Sequence, residues 1–140
     1  MYALGTSPTG GGKEHSTELV IDRTDAHTDQ EHVNALILSD CQMPDRTAAI
    51  LGTAEEQEAV FRRLLADARL LEGAGCTVLA VPCNTSHFFL DRVQEHIGVP
   101  ILNMIRETAA GLRRQGRTRP GILATDGTIR SGLYQKELAA

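Results

Sequence analysis

Residues 54–81, AEEQEAVFRRLLADARLLEGAGCTVLAV, decide how this chain folds. Val60, Leu64, Leu65, Ala68 and Leu71 recur at spacings of three and four, the stripe of a helix that turns one face to a core, and Gly73 or Gly75 is placed to stop it. The five residues that follow, Thr77 to Val81 (TVLAV), form a short apolar run with no polar alternation, which suits a strand buried on both faces. A long helix feeding a buried strand is half of a β-α-β unit, and the rest of the chain repeats the pattern.

On the amino-terminal side, Val33 to Leu38 (VNALIL) reads as another buried strand, followed by a loop containing Pro44. Before it, Ser16 to Thr24 reads as a short helix capped by Ser16 or Thr17. On the carboxyl side the expected order is a helix from Ser86 to Ile97, a short strand from Pro100 to Leu102, and a helix from Met104 to Arg114 ending at Gly116. A strand over Gly121 to Ala124 then turns at Asp126-Gly127 into a helix from Thr128 to Leu138. Strands alternating with helices give an α/β fold, a parallel sheet flanked by helices. Residues 1–15, MYALGTSPTGGGKEH, hold four glycines and little apolar pattern, and read as a flexible Gly-rich lead-in. They are not a phosphate loop: Glu14 follows Gly12-Lys13 where Ser or Thr is needed, and Ser7 stands where the spacing requires Gly.

The 140 residues are 41% hydrophobic and 23% charged, enough for a domain that stands without staples. The net charge of −4 comes from interspersed acids and bases, so there is no basic stripe for nucleic acid. Three cysteines, an odd number, and the lack of a leader pattern suit reduced thiols in a cytoplasmic protein. No apolar run is long enough to cross a membrane, so a soluble chain is expected.

In open α/β sheets, sites gather where strands end and helices begin. That rule brings four segments to one edge: Ser39–Thr47, Pro82–Ser86, Asn103 and Thr125–Thr128. Cys83, in VPCNTSH, lies at the end of TVLAV and just before the Ser86 helix, where oriented amides favour a thiolate able to move protons. Asn84 and Thr85 offer polar atoms to an anion, with Ser86 as helix cap. A small buried thiol beside ordinary capping residues fits the same letters. Cys76 precedes the strand that Cys83 follows, about 20 Å away at the rise of a strand, so the two cannot share a substrate. Cys41 falls on the Cys83 edge, as a partner thiol or a passive loop residue. Arg46, in the loop MPDRT, presents a planar fork suited to a carboxylate, or else pairs with Asp45 or solvent. In ATDGT, Thr125 and Thr128 flank a turn that opens a helix, an anion site or a plain turn with Thr128 as the cap. The acids and histidines of Thr28–His32 and His27 lack metal-ligand spacing. His87 and His96 fall on different faces of one helix and receive no role.

Taken in order, TDAHTDQEH, QMPDRTAAIL, VPCNTSHFF, ILNMIRET and GILATDGTIRSGLYQKEL closely resemble the aspartate/glutamate racemase family, particularly its aspartate racemase branch, over residues 16–140. The resemblance implies two similar α/β lobes with the active site in the cleft between them, often in a homodimer. It implies racemisation of a small amino acid with no cofactor: no pyridoxal phosphate, metal or nucleotide. One cysteine removes the Cα proton and a second, on the opposite face, returns one. Carried over by position, Cys83 is the first-lobe acid/base. Asn84, Thr85, Thr125 and Thr128 hold the amino-acid head group, and Arg46 grips a side-chain carboxylate.

Two departures stand against the match. Residues 1–15 do not supply the opening hydrophobic strand and glycine-rich turn usual in the family. The family's second cysteine lies in a Gly-Cys-Thr motif deep in the second lobe, whereas 16–117 account for the first lobe and 118–140 only for the start of the second. The sequence is therefore expected to be truncated. Its alternatives are a catalytically silent fragment or binding module, or a relative with another substrate, such as hydantoin racemase or maleate isomerase. The orphaned last strand and helix should leave an apolar face near Leu133 and Tyr134 and promote self-association.

Overall fold

The Thr53 hydroxyl accepts from the Glu56 N–H at 3.3 Å while the Glu56 carboxylate accepts from the Thr53 N–H at 2.7 Å, a reciprocal cap that starts the long helix Ala54–Gly73. At its other end the Gly75 N–H donates to Glu72 O and the Cys76 N–H to Leu71 O, with Gly75 at φ 88°, where a side chain would be strained. These two caps deliver the chain into the strand Val78–Ala80, as the 54–81 pattern requires. This is a computed structural model, which describes the backbone of residues 2–4 and 11–139 and the side chains of 15–139.

In chain order the elements are β1 (Tyr2–Leu4), α1 (Gly11–Arg23), β2 (Ala35–Ile37), α2 (Arg46–Leu51), α3 (Ala54–Gly73), β3 (Val78–Ala80), α4 (His87–Gln94), β4 (Ile101–Leu102), α5 (Met104–Arg114), α6 (Asp126–Ser131) and α7 (Leu133–Ala139), with a 3-10 turn at Asp29–Glu31. The strands form one parallel sheet in the order β2-β1-β3-β4, flanked by helices, as expected of the fold class. Val60, Phe61, Leu64, Ala68 and Leu71 of α3 pack with Phe89, Leu90 and Val93 of α4, with Leu79 of β3 and with Met43 and Ala49. On α5, Ile105 and Ala109 are buried as well. The α5 helix begins where Asn103 accepts from the Ile105 and Arg106 N–H groups at 3.1 Å, and ends in a second glycine cap at Gly116, φ 68°.

Several expectations are corrected. The flexible lead-in gives way to β1, which pairs with both β2 and β3, and to α1, which begins at Gly11 and so puts Ser16 and Thr17 inside a helix and not at its cap. A strand of three residues is too short to show a period, and pairing on both sides holds it in place. Residues 5–10, where the family's glycine-rich turn would fall, lie outside the described residues. The VNALIL strand is an edge strand with Leu36 and Ile37 exposed, not a buried one. Residues 121–125 pair with no strand, and Leu123 is fully exposed at 102%. Beyond them the single expected helix is split by Gly132 (φ 68°) into α6, which packs on α2, and α7, which packs on α5. Leu133 and Tyr134 are accordingly half-buried and do not form an open apolar face.

Candidate active site

Cys83 leaves β3 at the carboxyl edge of the sheet, and the residues after it coil at once: the N–H groups of His87, Phe88 and Phe89 donate to the carbonyls of Asn84, Thr85 and Ser86. Ser86 is buried and has helical dihedrals, and its hydroxyl does not cap α4 as expected. It is directed to the Cys83 thiol instead. The Thr85 hydroxyl lies 3.3 Å from Cys83 Sγ, and Arg46 Nη2 lies 3.7 Å away on the other side. Burial is the strongest single influence on this thiol and opposes its ionisation. Hydrogen bonds from the Ser86 hydroxyl, the Thr85 hydroxyl and the Ser86 N–H, together with the Arg46 charge, outweigh it and hold the pKa below the ordinary thiol value.

Arg46 does not sit on a loop, as its sequence context suggests, but opens α2. Asp45 is the cap of that helix, accepting from the Ala48 N–H at 3.0 Å. Arg46 donates through Nη1 to Pro44 O at 3.2 Å, while its buried Nε has no partner among the described residues. An aligned guanidinium beside a thiol, with a donor still unused, can hold an anion against the sulfur.

Thr125, not Thr128, caps α6, accepting from the Thr128 N–H at 3.5 Å, with the two hydroxyls 3.2 Å apart. Thr128 is 2% exposed. This turn reaches the site through Gly127, where a Cβ would lie 3.0 Å from Thr47 Cα and 3.0 Å from Thr47 Oγ1. Thr47 follows Arg46, so the close approach of two backbones seats the ATDGT turn beside the Arg46 end of the site. Replacing Gly127 by Val is expected to lower stability by about 1–3 kcal/mol, because backbone must move. Gly121→Ala, with nothing within 4 Å of the added carbon, should change it by less than about 0.5 kcal/mol. Urea unfolding of the two variants side by side tests this, and equal midpoints would contradict it.

The other two thiols differ in burial and in place. Cys76 is buried ahead of β3, at the opposite edge of the sheet from Cys83. Cys41 is exposed, its sulfur 4.0 Å from Ser39 Oγ.

Sequence reasoning passed over three residues that build the site. His87 is 2% exposed, with Nδ1 2.9 Å from Cys83 O and Nε2 accepting the Met104 N–H at 3.1 Å. Tyr134 donates its hydroxyl to Asn84 Oδ1 at 2.7 Å. Asp40, buried, pairs with Arg63 of α3 and accepts the Gln42 N–H at 2.9 Å, which pins the loop ahead of Arg46. No local spacing marks Asp40, whose partner Arg63 lies 23 positions away; Asp67, four residues on from Arg63 along α3, joins the pair electrostatically.

Asp67 is the strained member of that cluster. Burial, and then the charge of Asp40, push its carboxyl from 3.8 up to about 6 against the opposing pull of Arg63, and its buried Oδ2 has no partner among the described residues. With the folded value raised, the unfolded chain releases this proton first, so Asp67 costs stability as pH rises from about 4 to about 6 and the full cost persists above. Asp40 is lowered chiefly by its bond to Arg63 and behaves oppositely, stabilising above its ordinary value of 3.8 and losing that contribution as acid protonates it. Asp67→Asn is therefore expected to stabilise the protein by about 1 kcal/mol near neutrality, a figure discounted for partial exposure, and to add nothing near pH 4. Thermal melts at the two pH values check this; an equal gain at both would contradict it.

A family model, that of Asp/Glu/hydantoin racemases, matches residues 5–140. The chain belongs to this family. The chain is 30% identical over 83 residues to a broad specificity amino-acid racemase of Bacillus subtilis, a match that covers 59% of this chain and 36% of that protein. A glutamate racemase of Corynebacterium diphtheriae is 35% identical over 110 residues, covering 71% of this chain and 41% of the relative. The aspartate racemase of Picrophilus torridus superposes with a TM-score of 0.84 at 26% identity, over 99% of this chain and 58% of that one. The chain thus spans about two-fifths or less of these sequence relatives and under three-fifths of the solved racemase. Among the described residues, no helix is long and apolar enough to cross a membrane.

Proposed function

We propose that this chain carries the first-lobe half-site of a cofactor-independent amino-acid racemase acting on aspartate or a similar acidic amino acid. Cys83 is its acid/base on one face of Cα. Arg46 takes the side-chain carboxylate, and Asn84, Thr85, Thr125 and Thr128 receive the amino-acid head group. The first lobe includes β1 and α1 and runs to residue 117, and residues 118–140 begin the second, in an enzyme that acts as a cytoplasmic homodimer.

The observation that carries this reading is the surrounding of the Cys83 sulfur, in which Arg46, Thr85 and Ser86 together favour the thiolate despite its burial. A thiolate is the form able to remove a proton. The Cα–H beside a carboxylate is very weakly acidic, so the site must also hold the developing anion with donors already in place. Inversion requires a second donor on the far face of Cα. Cys76 lies at the other end of β3, and the proposal assigns that donor to the part of the relatives' fold that this chain does not span.

One thiol suffices for half of the reaction. It can remove the Cα hydrogen and return a solvent-derived one to the same face, with configuration retained. The test is therefore exchange of the Cα hydrogen of L- and D-aspartate in deuterated water, followed by proton NMR. Incorporation into either enantiomer is expected. If neither aspartate nor glutamate exchanges, and neither shields Cys83 from alkylation, the chain is a silent fragment and the reading fails.

A further inference from the structure

We infer that Tyr134 is a positioning residue, which fixes the Asn84 side-chain amide so that its NH2 group is the face offered to an anionic ligand beside Cys83. This rests on the reading of Cys83 and Asn84 as parts of one amino-acid site.

The two residues are 50 apart in sequence and meet at 2.7 Å, phenol hydroxyl to amide oxygen. A carboxamide has two different ends. Free to rotate, it would present its oxygen to a carboxylate as readily as its NH2, and the oxygen repels. A phenol that donates to the oxygen removes that choice, because the oxygen's direction is then set and the NH2 is turned away from the phenol, at roughly 120° to the oxygen. Burial raises the Tyr134 pKa, so the hydroxyl keeps its proton and remains a donor at working pH.

The phenol is itself held. Gly132, at φ 68°, turns the chain between α6 and α7, a conformation that a side chain would resist. Arg113 Nη1 donates to Glu137 O at 2.7 Å and Arg106 Nε to Glu137 Oε1 at 3.0 Å, both from α5. Arg106 also reaches Asp91 of α4 at 3.1 Å. These bonds tie α7 to the two helices that follow the site's strands. A ring on that scaffold costs little entropy to aim, and the amide it orders is the residue next to Cys83.

The test is protection of Cys83 from iodoacetamide by aspartate, read at Cys83 by mass spectrometry so that exposed Cys41 does not contribute. Without ligand, Tyr134→Phe should alkylate with the wild-type pH profile, because the ring remains and the thiol's own donors are untouched. With aspartate, the half-protecting concentration should rise about tenfold, the scale of one hydrogen bond to a charged group. Asn84→Ala should show a similar rise, and the double variant no further one, since Tyr134 acts only through Asn84. Protection in Tyr134→Phe equal to wild type overturns the inference, as does a double variant whose losses multiply. A wild-type protein that neither aspartate nor glutamate protects overturns the reading of the site, and this inference with it. A variant that loses the wild-type alkylation profile without ligand shows a structural role for Tyr134 and overturns the inference alone.

Discussion

Cys83→Ser should slow Cα-hydrogen exchange of aspartate by about a thousandfold, the middle of the range that one positioned acid/base supplies. The serine hydroxyl fits the same space and can still bond to Thr85 and Arg46, so fold and ligand affinity should change little. What it lacks is an accessible anion. The sulfur's surroundings lower the thiol pKa, and no arrangement of two hydroxyls, one N–H and one guanidinium brings an alcohol into the same range. The wild-type rate should therefore rise with pH as the thiolate forms, with its midpoint below the ordinary thiol value, and that rise should vanish in the serine variant. Exchange by Cys83→Ser at the wild-type rate would sink the assignment of the base.

The parts of the fold that could be read from sequence are those with a local cause. A 20-residue helix with five apolar residues on one face and a capping pair at its start announces itself, and α3 falls within a residue of its expected ends. So does α5, between Asn103 and Gly116. What failed was set by neighbours distant in sequence. Tyr2–Leu4 is a strand because β2 and β3 lie on either side of it, and nothing in three residues states that. VNALIL looks buried by composition, yet sheet order puts it on an edge. GILA has the letters of a strand but no partner to pair with among the described residues, so it runs unpaired.

The site divides along the same line. Cys83 and Arg46 could be chosen because each stands where a strand or loop meets a helix, a relation contained in the local sequence. The same rule puts both on one sheet edge, but their contact at 3.7 Å across 37 residues is set by tertiary packing that no local pattern states. Ser86 was misassigned because a serine before a helix ordinarily caps it, whereas the coil that begins at Asn84 leaves it inside the first turn, aimed at the sulfur. His87 and Tyr134 act through single long-range bonds, and no spacing in the sequence marks a residue whose partner lies 17 or 50 positions away.

His87 carries the largest expected effect on stability. Its Nε2 takes the Met104 N–H, so the ring proton must be on Nδ1, from which it donates to Cys83 O. The neutral ring thereby joins the end of β3 to the start of α5. His87→Ala would remove both bonds, leave a part-buried N–H and carbonyl without these partners and open a cavity where the buried ring stood, for a loss of about 3–5 kcal/mol. Against the 5–15 kcal/mol typical of a whole domain, that is enough to bring the unfolding midpoint near working temperatures. The loss should also depend on pH. Burial lowers the His87 pKa below its ordinary 6.5, so the folded protein resists a proton that the unfolded chain accepts. Its contribution is complete above about 6.5 and declines as pH falls toward the folded value, while alanine has no such dependence. The gap between wild type and His87→Ala should therefore narrow in acid. Urea unfolding near pH 8 and pH 5 measures it; a gap that widens in acid would mean that His87 is held in the folded protein as a cation, and that the bond from Met104 is not made.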